Sequence, residues 1–172
     1  RITFGNISPG LQSGFCCDTG GGWSTSMIAH VSQLHAVPAD WSDEAAVIVE
    51  PLQGAGGVWP PPPGYLEGAR KLCDQHGAFL IFDEVISGFG RMGTWFAADH
   101  YGVTPDMLCF AKGVTSGYQP LGGVYVGAAV REALESDPNF FLRHGYTYSG
   151  HSSVCAAALA NLAIIEREGL VE

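Results

Sequence analysis

The stretch Tyr65-Leu66-Glu67-Gly68-Ala69-Arg70-Lys71-Leu72-Cys73-Asp74-Gln75-His76-Gly77, continuing as Ala78-Phe79-Leu80-Ile81-Phe82-Asp83-Glu84, changes its hydrophobic period midway. That change decides the fold class. In the first half Leu66, Ala69, Leu72 and Cys73 recur at helical spacing. This predicts a helix over 65–76, closed by Gly77, a natural residue for the left-handed position after a helix. The second half is a continuous apolar run that ends in two carboxylates, the pattern of a strand buried on both faces. Upstream, Ala45-Ala46-Val47-Ile48-Val49, ending at Glu50-Pro51, reads as a fully buried strand, and downstream Met107-Leu108-Cys109-Phe110-Ala111, ending at Lys112, reads as another. Strand, helix, strand with continuously apolar strands predicts an α/β domain: a mostly parallel sheet covered by helices on both faces. Gly123–Val126 suggests a further strand, Val130–Leu134 a short helix, and Ser153–Glu168 a long alanine-rich helix closed by Gly169. Residues 1–44 are rich in Gly, Ser and Thr and follow neither period, so they stay unassigned and the domain is read as 45–172.

Composition narrows the function classes. Gly and Pro, 24 and 10 of 172 residues, fall below the ~25–30% of low-complexity chains, which argues against disorder. Eight Lys and Arg against 17 Asp and Glu give a net charge of −9, the wrong sign for nucleic acid or an anionic membrane surface. A charged fraction of 15%, well under the usual ~25%, leaves little polar exterior for a monomer. A homo-oligomer is expected. The longest apolar stretch, Val154–Ile165, is interrupted by Asn161 and is shorter than the ~18 residues of a spanning helix. The chain starts at Arg1 without Met or a charged-then-apolar leader, which reads as no signal peptide and an incomplete chain. Five cysteines without a C-x-x-C pair favour a reducing, cytoplasmic setting over a disulfide framework or zinc site. Six histidines without an H-x-x-x-H pair predict no metal.

Two lysines are present, and they differ. Lys71 lies beside Arg70 on the polar side of an amphipathic helix, whereas Lys112 ends an apolar strand and precedes Gly113-Val114-Thr115-Ser116-Gly117. That position is the carboxyl edge of a sheet, where α/β folds bind ligands. A partly desolvated amine there is a nucleophile suited to Schiff-base chemistry. Asp83 also ends an apolar strand; it either pairs with Lys112 or meets a cation on a ligand. Pyridoxal phosphate needs both groups, an amine for its aldehyde and a carboxylate to keep its ring nitrogen protonated. The rival enzyme reading is a Rossmann oxidoreductase, from Gly88-x-Gly90-x-x-Gly93 after a strand. Against it, Asp83–Ser87 separates strand from glycines, and Thr94–Tyr101 is too short for a normal crossover. Trp95, Phe96, Tyr118 and Phe89 are read as core or interface aromatics.

Together, Glu50-Pro51 with Gln53-Gly54-Ala55-Gly56-Gly57, Phe82-Asp83-Glu84-Val85, Gly88-Phe89-Gly90-Arg91-Met92-Gly93, Pro105-Asp106, Ala111-Lys112-Gly113, Pro120-Leu121-Gly122-Gly123 and Thr147-Tyr148-Ser149-Gly150-His151 resemble the class III pyridoxal-phosphate aminotransferases, and within them the omega-aminotransferases. The resemblance implies part of the large domain of a fold-type-I PLP-dependent transferase. Its activity moves an amino group from an amine or amino acid to an oxo-acid, with pyruvate the expected acceptor. By the resemblance Lys112 forms the Schiff base and shuttles a proton, Asp83 partners the pyridinium nitrogen, and Val85 packs on one ring face. Tyr146 and Thr147 reach the cofactor phosphate from a neighbouring subunit, so a homodimer or larger homo-oligomer is implied. Glu50 corresponds to a glutamate near the substrate pocket. Aminomutase or decarboxylase chemistry on the same lysine and aspartate, and an inactive truncated subunit fragment, are the alternatives. The family's N-terminal phosphate-binding turn, the aromatic that stacks on the other ring face, and the C-terminal small domain have no match in this sequence.

Overall fold

The computed structural model describes residues 46–142 and 144–171. Four strands form one sheet in chain order: β1 Ala46–Val49, β2 Phe79–Asp83, β3 Met107–Phe110 and β4 Gly123–Val126. The pairs β1–β2 and β2–β3 are parallel, and β4 returns antiparallel on β3. Between the strands and after them lie α1 Tyr65–His76, α2 Ala97–Tyr101, a 3-10 turn Lys112–Thr115, α3 Ala128–Glu135 and α4 Ser152–Arg167.

The opening stretch folds as its periods predict. Helix α1 spans 65–76 and stops at Gly77, whose φ of 62° is left-handed; its N–H there caps the carbonyl of Cys73. On β2 the alternating residues Leu80 and Phe82 are fully buried, and with Val49, Leu66, Cys73 and Val103 they make the core between sheet and α1. Each such side chain contributes roughly 1.5–3 kcal/mol on burial. Asp106, just before β3, accepts the Leu80 N–H at 2.7 Å and Arg70 Nη1 of α1 at 2.8 Å. Arg70 also bridges to Asp74 at 2.7 Å. Burial alone would lower the Arg70 pKa, but its hydrogen bonds to Asp106 and Asp74 outweigh that and raise it above the ordinary value. One carboxylate therefore ties α1, β2 and β3 together at the amino edge of the sheet.

One expectation needs correction. The first strand is not fully buried: Ala46, Val47 and Ile48 are exposed and only Val49 is covered, because β1 is an edge strand of the described sheet. The register puts Ile48, Phe79 and Val124 on the face opposite α1, where they are 65, 40 and 55% exposed. Among the described residues this face is the more open one, and the mostly parallel sheet with its helices is as expected. The segment before Gly102 holds only the five-residue α2, in keeping with its being too short for a normal crossover. Elsewhere the elements agree within a residue or two, with the short helix extended to Ala128–Glu135. Residues 1–45 lie outside the described residues.

Candidate active site at the carboxyl edge of the sheet

Parallel pairing brings three of the expected site residues to one edge. Glu50 follows the last residue of β1, Asp83 closes β2, and Lys112 follows β3 after Ala111. The register sets Val49 beside Phe82 and Asp83 beside Cys109. Glu50 and Asp83 therefore leave neighbouring strands at one level, and Lys112 leaves the third just beyond. Asp83 Oδ1 accepts the Val85 N–H at 3.1 Å, which turns the chain away from the sheet immediately after the carboxylate. Among the described residues neither Asp83 nor Lys112 forms an ion pair. Asp83 and Lys112 are thus not joined to each other by a direct ion pair. Burial, and then the Asp83 charge across the ladder, push the Cys109 thiol up, so it stays protonated and is no rival nucleophile.

The loop after Asp83 rests on a residue that sequence reasoning passed over. Glu84 is fully buried; its carboxylate accepts the N–H groups of Ala97 and Ala98, both at 2.7 Å, and the Ser87 hydroxyl at 2.8 Å. Its own N–H continues the ladder to Cys109 O at 2.9 Å. Glu84 thus fastens the first residues of α2 to the end of β2 and fixes the turns between them. Those turns contain Gly88, Gly90 and Gly93. Gly90 and Gly93 have φ of 94° and 77°, so the glycines serve left-handed turns rather than a phosphate-binding strand-to-helix junction. The dinucleotide-fingerprint reading is set aside on this geometry.

Lys112 itself has φ 45° and Ser116 φ 49°, left-handed values that non-glycine residues seldom adopt. Lys112 lines a cleft of about 610 Å³ with Phe89, Arg91, Gly113, Ser116 and Ile165. Glu50 Oε2 accepts the Gly54 N–H at 3.0 Å, and Gly54 abuts the side chain of Ile86, leaving no room there for a Cβ. The loops after β1 and β2 are therefore packed against each other. Val85 is half-buried beside Asp83. Tyr146 and Thr147 are exposed on a turn that Ser149 closes, its hydroxyl accepting the Tyr146 N–H at 2.8 Å. They do not line the Lys112 cleft. Among the described residues no cluster of three or more His, Cys, Asp or Glu gathers that would hold a metal ion.

The donor set fits a pyridoxal cofactor: a free amine and a carboxylate with one oxygen unengaged among the described residues, on adjacent strand ends of one edge. Comparison with known proteins points the same way. The family described as Aminotransferase class-III matches residues 18–172. The omega-amino acid–pyruvate aminotransferase of Pseudomonas putida is 48% identical over 137 residues, 77% of this chain and 30% of that protein. The diaminobutyrate–2-oxoglutarate transaminase of Halomonas elongata is 53% identical over 128 residues, 73% of this chain and 27% of its own length. Among solved structures, the (S)-enantioselective omega-transaminase from Thermomicrobium roseum superposes with a TM-score of 0.70 at 53% identity, covering 74% of this chain and 28% of that one. The taurine:2-oxoglutarate aminotransferase from Bifidobacterium kashiwanohense, solved with PLP and glutamate, gives 0.69 at 45% identity, covering 73% and 28%. The chain thus spans under a third of the length of these relatives.

Proposed function

Because the chain belongs to the class-III aminotransferases, we propose that it is the cofactor-binding part of a pyridoxal 5′-phosphate-dependent enzyme that transfers an amino group from an amine or amino acid to an oxo-acid. The observation that carries the reading is the pair Asp83 and Lys112, set at the carboxyl ends of adjacent parallel strands and not joined in an ion pair. Lys112 would hold the cofactor aldehyde, Asp83 the ring nitrogen and Val85 one ring face. Tyr146 and Thr147, exposed here, would reach the phosphate of a second copy in a homodimer, and Glu50 would face the substrate. When bound, the cofactor supplies an electron sink for a substrate carbanion. The chain's own part is acid–base and electrostatic. Lys112 Nζ takes the proton from the substrate carbon and returns it, while the Asp83 carboxylate keeps a cation beside it charged. Pyruvate is the expected acceptor, in keeping with the Pseudomonas putida relative; the Halomonas relative, named for 2-oxoglutarate, makes that the second acid to assay. The free thiols Cys73, Cys109 and Cys155 suit a reducing compartment, the cytoplasm, and no described helix is long and apolar enough to cross a membrane.

The test is borohydride reduction of the full-length protein with pyridoxal phosphate, followed by peptide mapping. A phosphopyridoxyl label on Lys112 is expected, with none on Lys71; label on Lys71 alone, or none, overturns the reading. Lys112→Ala is expected to abolish the label and reduce transamination by 10³-fold or more, on the order of what loss of a covalent nucleophile costs. Asp83→Asn is expected to keep cofactor binding and lose most turnover.

A further inference from the structure

The 3-10 turn that begins at Lys112 starts and ends with a non-glycine residue in the left-handed region, Lys112 and Ser116. The left-handed conformation crowds the Cβ of a non-glycine residue, so the turn needs outside support. Support comes from one side chain on α4. Asn161 Nδ2 donates to Gly113 O at 3.0 Å and to Val114 O at 3.1 Å, and Asn161 Oδ1 accepts the Ser116 hydroxyl at 2.7 Å. From the other side Phe89 stands against Gly113, where a Cβ would lie 2.9 Å from Phe89 Cβ. The turn is held between them. Asn161 interrupts the otherwise apolar run Val154–Ile165, and asparagine is a poor helix former, so the helix gains nothing from it. An amide is the fitting group, since it offers donors and an acceptor on one short stem. Aspartate lacks the donors, alanine lacks both, and glutamine is a methylene too long.

We propose that Asn161 is a positioning residue for Lys112: it fixes the backbone turn from which the lysine amine is aimed, without touching the amine. The inference deepens the proposed function and rests on Lys112 carrying the cofactor. It is tested in the full-length protein with Asn161→Ala, Asn161→Asp and the milder Ser116→Ala, which removes only one of the three bonds. Three quantities are read: hydrogen exchange of the Ser116 and Tyr118 amides, which close the turn on Gly113 O and Thr115 O; the rate at which Lys112 takes the borohydride-fixed label; and the visible absorption maximum of the loaded protein. Both Asn161 variants are expected to raise exchange across 113–118 about tenfold and to slow labelling about tenfold, the effect of roughly one net hydrogen bond, with a displaced absorption maximum. Ser116→Ala is expected to give about a third of that effect on a logarithmic scale. Labelling rate and absorption maximum unchanged in the Asn161 variants overturn the proposal even if exchange rises, because the bonds then serve the fold alone. If those variants do not fold, Ser116→Ala decides, and wild-type values in it overturn the proposal. A wild-type protein that takes no label on Lys112 is a different failure: it removes the functional reading itself.

Discussion

At the level of single residues, the groups that sequence reasoning found and those it missed differ in what they bind. Asp83 and Lys112 were legible because each is a charged residue abruptly ending an apolar run, and such a residue must sit at a sheet edge. Glu84 and Asn161 work on the backbone of segments far along the chain, Ala97–Ala98 and Gly113–Val114. Backbone groups carry no sequence signature, so no residue type at the other end betrays the contact. The buried Glu84 accepts three hydrogen bonds, two of them from backbone N–H groups at the start of α2. Glu84→Gln points an amide donor at one of them and is expected to lower stability by about 1–3 kcal/mol. A urea midpoint equal to wild type would show that Glu84 does not hold the loop.

At the level of elements, α1 could be read end to end because its apolar spacing and its terminal glycine are both local signals. Strand ends shifted by a residue, since an apolar run does not mark where ladder hydrogen bonding stops. Helix α2 escaped because five residues are too few to show a period, and its start depends on Glu84, the residue after β2. Asp106 explains why the Pro105-Asp106 pair of the motif matters to the fold: it joins α1 to β2. Asp106→Ala leaves the Leu80 N–H without its partner and Arg70 with Asp74 alone, and is expected to cost about 1–3 kcal/mol, read as a lower urea midpoint. Gly77→Ala, at φ 62°, is expected to cost roughly 1 kcal/mol by the same measurement.

At the level of the whole molecule, the sheet was legible as mostly parallel because its strands are continuously apolar and separated by a helix; the antiparallel direction of β4 was not, since nothing within Gly123–Val126 marks which way a strand runs. Sedimentation of the full-length protein at micromolar concentration is expected to give a dimer or larger; a monomer would overturn the oligomer reading. Two thiols also make stability depend on alkaline pH. Burial raises the Cys73 and Cys109 thiols, and Asp83 adds to the rise at Cys109. Above the ordinary thiol value of 9.0 the unfolded chain therefore releases protons that the folded chain retains. Stability is full below that pH and falls as pH rises through the raised values. Urea midpoints between pH 8 and 10 are expected to decline, and less steeply in Cys109→Ala. The antiparallel return of β4 on β3 bears on how the site comes into being. Strands β3 and β4, with Lys112 between them, close over a short span of chain, whereas Asp83 joins only when β2 docks in parallel across the long 84–106 connection. Local contacts form fast and distant parallel ones slowly. The lysine is thus expected to find its place before the aspartate, so that competence for the cofactor waits on the docking of β2.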